Sequence, residues 1–162
     1  MIFDIELGEN FRRKARLVVR GYKTVAPASI AYSSVVSRDS ICITLTIDAF
    51  NGLDIIACDI QNVYLKEKCR KKIWTITGLE FGQEAGSIML IKMTLYGFKS
   101  SGAAFRSKLS GVTHGLHYEP TKAGPDVWIR PDIKPDGTEY YEMVLWYEDN
   151  VIVLSHAPMR TI

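Results

Sequence analysis

The tightest constraint on this chain lies near its C-terminal end. Tyr140-Tyr141-Glu142-Met143-Val144-Leu145-Trp146 and Val151-Ile152-Val153-Leu154 are runs of β-branched, aromatic and other apolar residues. Only Tyr147-Glu148-Asp149-Asn150 separates them. Two such runs around so short a polar break read as a β-hairpin, with strands apolar enough to be buried on at least one face. Glu148, Asp149 and Asn150 would sit at its tip, where Asp and Asn are ordinary turn residues. A carboxylate held on a rigid tip also suits a metal ion or a general base. A second acid, Asp59, ends another apolar run upstream.

The 162 residues, 47% hydrophobic and 23% charged, suggest one globular domain large enough for a real core. A net charge of +2 indicates no partner by itself. Its distribution says more. Arg12, Arg13, Lys14, Arg16, Arg20 and Lys23 crowd one stretch, and Lys66, Lys68, Arg70, Lys71 and Lys72 another. Such clusters suit phosphate groups or form solvated faces. Cys42, Cys58 and Cys69 form no C-x-x-C pair, which argues against a disulfide framework and a zinc site and fits a reducing compartment. His114 and His117 lack further ligands nearby and read as surface residues. The opening Met1-Ile2-Phe3-Asp4-Ile5-Glu6 is no signal peptide. No run approaches the roughly 18 apolar residues of a membrane span.

Along the chain, Leu17-Val18-Val19 reads as a strand with a cationic face, closed by Gly21, and Pro27 marks a loop. Ser37 should cap a helix over residues 37–50, with Asp39 in its first turn and Asn51-Gly52 ending it. Its inward face is expected along Ile41, Leu45 and Asp48-Ala49, beside Cys42, Thr46 and Phe50. Residues 53–60 form a strand whose buried run, Ile55-Ile56-Ala57, leads to Asp59. A short helical turn follows over 61–65. Strands at 72–77 and 88–93 flank a glycine-rich loop. A second helix covers 102–116, with Ala103, Leu109 and Val112 inward and Arg106 and Lys108 outward. A strand at 127–129 and a turn at Pro135-Asp136-Gly137 precede the hairpin. This order predicts an α+β fold, a mainly antiparallel sheet with two helices on one face.

Five segments then carry a resemblance. Lys14-Ala15-Arg16-Leu17-Val18-Val19-Arg20-Gly21-Tyr22, Ala57-Cys58-Asp59-Ile60-Gln61-Asn62-Val63-Tyr64-Leu65, Leu95-Tyr96-Gly97-Phe98-Lys99-Ser100, Gly124-Pro125-Asp126-Val127-Trp128 and Tyr147-Glu148-Asp149-Asn150 occur in that order. They resemble the K-A-R-L-V-A-R-G-F, L-D-V-K-T-A-F-L, L-Y-G-L-K-Q, A-D-P-C-L-Y and Y-V-D-D segments of the reverse transcriptase domain of copia-type LTR retrotransposons. The resemblance implies a polymerase palm with a ferredoxin-like core and partial fingers. Residues 1–36 would be partial fingers, 37–65 palm with the first catalytic motif, 66–98 finger strands, and 99–162 palm with the hairpin motif, in one structural unit overall.

The chemistry so implied is attack of a primer 3′-hydroxyl on the α-phosphate of a dNTP, on an RNA or DNA template. Two Mg²⁺ ions, replaceable by Mn²⁺, would stabilise the attacking and leaving oxygens. Asp59, bridging both ions with help from the Ile60 carbonyl, and Asp149 would be the ligands. Tyr64 matches the aromatic that stacks below the sugar and excludes a 2′-hydroxyl. Lys14 and Arg16 are both candidates for the triphosphate, and Gly97 and Lys99 for the incoming base and template. A virus-like particle in the cytoplasm, or the nucleus, would be the location, with no membrane involved.

Several residues depart from that pattern. Asn150 stands where the family has its second hairpin Asp, and Glu148 fills a usually apolar position. Losing one anion beside two divalent cations implies weak or absent activity in this copy. Ser100 replaces a Gln, and Ser101-Gly102-Ala103-Ala104-Phe105 replaces a pattern near A-P-R-A-W. The sequence ends at Ile162, so thumb and ribonuclease H segments are expected to be missing. A non-catalytic nucleic-acid-binding domain, or an inactive retroelement remnant, is the alternative.

Overall fold

The computed structural model describes residues 2–6, 12–20 and 33–160, without the side chains of 3–6, 12–14 and 70. Gly21, Lys23 and Pro27, and the side chain of Lys14, lie outside what is described. The chain divides into two compact units that interleave in sequence, Met1–Tyr32 with Asn62–Phe105 and Ser33–Gln61 with Arg106–Ile162.

The second unit is built on a five-stranded antiparallel sheet. Its strands are β3 (Asp54–Asp59), β6 (Glu119–Pro120), β7 (Val127–Ile133), β8 (Glu139–Tyr147) and β9 (Asn150–Ser155), in the order β3-β9-β8-β7-β6. Four strands follow one another as a meander, and β3 arrives by crossover at the edge. The central strand, β8, decides the layering. Met143, Val144, Leu145 and Trp146 are consecutive and all buried. Successive side chains point to opposite faces, so both faces need cover.

One face gathers Val127, Met143, Leu145 and Leu154 with Val36, and Ile41 of helix α1 (Arg38–Asn51) packs against it. The other gathers Trp128, Val144, Trp146, Val153 and Tyr118, with Leu109 of helix α2 (Ser101–Gly115) against it. The α+β class and the mainly antiparallel sheet are as expected. The helices, however, occupy opposite faces rather than one, because a strand apolar on both sides must be covered twice.

Helix α1 follows its capping signals. The Ser37 side chain accepts from the Ser40 N–H at 3.1 Å, Asp39 lies in the first turn, and Gly52 closes the end with φ 56°. The buried face matches the expected one only in part, at Ile41 and Asp48. Thr44 and Asp48 are buried with Ile41 half-buried, while Leu45, Phe50, Ile43 and Ile47 are exposed. The run Ile55-Ile56-Ala57 is also less buried than expected, since β3 is an edge strand and Ile55 stays 47% exposed. In α2, Val112 is exposed, and Arg106 turns in to pair with Asp126.

In the first unit, β1 (Ile2–Glu6) pairs with β2 (Arg12–Arg16), and β4 (Lys68–Ile76) with β5 (Ile88–Met93), both antiparallel. The strand expected at 17–19 is displaced: β2 ends at Arg16, and only a single bridge, Val18 to Tyr96, continues it. Leu17 and Val19 instead pack on the small core of Ile91, Leu95 and Phe98. Val63–Lys66 forms the short helical turn expected there.

Candidate active site

The acids that the sequence pairs by pattern meet on one sheet. β3 and β9 run antiparallel with Asp59 opposite Asn150, and the Ile60 N–H donates to the Asp149 carbonyl at 2.8 Å. The tip between β8 and β9 is a two-residue turn, Glu148-Asp149, across which Tyr147 pairs with Asn150. Glu148 takes φ 53°, a conformation that such a tight hairpin needs at its first central position. Asn150 is therefore the first residue of β9 rather than part of the turn. By strand alternation, Asp59 and Asn150 share the sheet face of Ile152 and Leu154.

Asp59, Tyr147, Glu148 and Asn150 are exposed and Asp149 is half-buried. The Asn150 Nδ2 donates to Asp149 Oδ1 at 3.0 Å, so the amide occupies one oxygen of its neighbour. The candidate ligands Asp59, Asp149 and Asn150 supply two carboxylates and one amide oxygen, all hard donors. Among the described residues, no group of three or more His, Cys, Asp or Glu gathers to hold an ion. Mg²⁺ does not require such a cage, since it keeps several waters and takes one or two carboxylates with substrate phosphates. The donor set fits magnesium arriving with a nucleotide, with less charge than three acids would give.

The remaining candidates belong to the first unit. Gly97 has φ 90°, and a Cβ there would collide with the Val19 carbonyl, so the chain's close approach requires glycine. Tyr64 is packed: its ring meets Tyr96 edge-on at 4.9 Å and Phe105 at 6.5 Å, and its carbonyl accepts from the Thr94 hydroxyl. Arg16 lies over the Tyr96 ring at 5.6 Å. Lys99 is exposed.

Two polar clusters that sequence reasoning passed over brace the sheet. Asp126, buried, accepts from Ser34 Oγ at 3.0 Å and from Arg106 Nη1, which also reaches the Ser34 carbonyl at 2.9 Å. Glu142, buried within β8, accepts from Tyr118 Oη at 2.8 Å, Ser155 Oγ at 2.6 Å, and Arg130 through Nε at 3.0 Å and Nη2. Burial works to lower the Arg130 pKa, but the hydrogen bond and charge of Glu142 outweigh it and raise it. The signal was present: an acid inside an otherwise apolar strand needs a cation and donors.

An antiparallel α+β sheet that brings two separated strand ends together, with aspartates on an open ledge, is the build of a polymerase palm. The family model described as Reverse transcriptase (RNA-dependent DNA polymerase) matches residues 4–160. The chain belongs to that family, whose members are RNA-directed DNA polymerases acting on nucleic acid and dNTP, generally with Mg²⁺. No curated protein and no solved structure matched.

Proposed function

We propose that this chain is the reverse transcriptase domain of a copia-type retrotransposon polyprotein, the sheet-bearing unit serving as palm and the other as fingers. The observation that carries the reading is the β3–β9 register, which sets Asp59 opposite Asn150 and beside Asp149. Asp59 and Asp149, with the Ile60 carbonyl, would hold the metal. Bound Mg²⁺ supplies charge neutralisation on the transferring phosphate and activation of the primer hydroxyl. Tyr64 would discriminate against a 2′-hydroxyl, Lys14 or Arg16 would neutralise the triphosphate, and Gly97 and Lys99 would lie against the base and template. Tyr147 and Glu148 shape the turn that carries Asp149.

Asn150 limits the reaction. It adds no negative charge and donates to Asp149, which withdraws electron density from the remaining hairpin aspartate. That contact also favours the second reading, a nucleic-acid-binding domain without turnover. Primer extension on an RNA template, comparing the natural chain with Asn150→Asp, separates the two. The variant should be faster by about 100-fold, the scale of one preorganised electrostatic partner. A folded Asn150→Asp chain that extends nothing would leave only the binding reading.

A further inference from the structure

Helix α1 turns to solvent a face that a solvated helix normally lines with charge. Every exposed residue from Cys42 to Asn51 is uncharged. Ile43, Ile47 and Phe50 stand at i, i+4 and i+7 and form one exposed stripe, with Phe50 87% exposed. The polar side chains beside them fold back on the helix. Thr46 Oγ1 donates to the Cys42 carbonyl at 2.8 Å, and Asn51 Nδ2 to the Ile47 carbonyl at 2.7 Å. The sheet beneath continues the surface. By strand alternation Pro131, Ile133, Glu139 and Tyr141 share the face of Met143, which α1 covers, yet Ile133 and Tyr141 are exposed. An uncharged stripe running into bare sheet marks a docking surface.

Between the stripe and that end of the sheet runs a groove of about 660 Å³, with apolar walls from Ile47, Pro131, Ile133 and Tyr141. Among the described residues its charged lining is Asp132 and Glu139, with no cation. The C-terminal end of α1 opens beside it at Asn51, has no basic residue in its last turn, and adds negative potential. Lys134 offsets part of this, its Nζ donating to the Asn51 carbonyl and lying 5.8 Å from the centre of the Tyr140 ring. Two carboxylates and a helix end against one ammonium leave the rim negative. That sign selects the occupant. An anionic bilayer or a phosphate backbone is repelled, and a second copy docking face to face sets these carboxylates against their own images. A partner with apolar anchors flanked by lysine or arginine satisfies both walls and rim.

We infer that α1 and the β7–β8 end of the sheet form a docking groove for a basic amphipathic helix of another protein. Ile47 and Phe50 meet its apolar face, and Asp132 and Glu139 meet its cations. The groove lies at the Glu139 end of β8, opposite the end that carries the Asp149 turn, so an occupant leaves the candidate active site free. The test is fluorescence anisotropy of a labelled amphipathic peptide of leucine and lysine, titrated with the full chain without metal or nucleic acid. Saturable binding that weakens with salt is expected. Phe50→Ser should weaken it about ten-fold, the scale of an aromatic anchor, and leave the urea melt unchanged because the ring is exposed. Glu139→Gln should weaken it by up to about five-fold and flatten its salt dependence.

Absence of saturable binding overturns the inference, as does Phe50→Ser binding as tightly as the natural chain. Equal affinity for a peptide of leucine and glutamate does the same, since the acidic rim then selects nothing. A dimer in sedimentation that Phe50→Ser dissolves gives the surface to a second copy instead. Binding to phosphatidylserine vesicles that Phe50→Ser abolishes gives it to a membrane.

Discussion

Asp48 is the residue most at odds with its surroundings. Its Oδ1 is buried without a hydrogen-bond partner, and burial first, then the charge of Asp54, raises its pKa. The unfolded chain therefore releases this proton first as pH rises, and stability falls from the ordinary carboxylate value of 3.8 upward until the folded group also ionises. Asp48→Asn should stabilise by about 1 kcal/mol at neutral pH, with the gain vanishing below the ordinary value; urea melts at both pH values measure it. Glu148 carries a smaller penalty, a left-handed backbone in a residue with a Cβ. Glu148→Gly should be neutral or stabilising by up to about 1 kcal/mol, whereas Gly97→Ala should destabilise, because the Val19 carbonyl blocks its Cβ. Asn150 was legible in the sequence as a missing acid. Its hydrogen bond to Asp149 was not, since side-chain contacts at a turn depend on its exact backbone.

At the scale of elements, the features set by neighbours in sequence were readable. The hairpin over 139–155, the Ser37 and Gly52 caps, and the helical turn after Asp59 are local, and each occurs as its residues dictate. What failed was set by position in the sheet. The buried run Ile55-Ile56-Ala57 was expected from hydropathy, yet β3 is an edge strand; four consecutive buried apolar residues in β8 required a helix on each face. Periodicity cannot say which strand is central. The Glu142 cluster shows how such a sheet tolerates charge within its core. Glu142→Leu should destabilise by about 3–5 kcal/mol, because Arg130 is left unpaired. Glu142→Leu combined with Arg130→Leu should recover much of that loss, and chemical denaturation of the set reads the coupling directly.

For the whole molecule, the family was legible because five motifs keep their order along the chain, and the family match over residues 4–160 agrees. The chain divides into two units, each of which takes its residues from two separate stretches. The catalytic claim belongs to this scale, since Asp59 and Asp149 are far apart in sequence and adjacent only through the β3–β9 pairing. The most direct test is Mn²⁺ binding followed by electron paramagnetic resonance in the Asn150→Asp background. Asp59→Asn and Asp149→Asn should each weaken binding, and the double variant should lose less than the sum of the two, as for ligands of one ion. Strictly additive losses, or Mn²⁺ affinity indifferent to either aspartate, would contradict a shared metal site on this ledge.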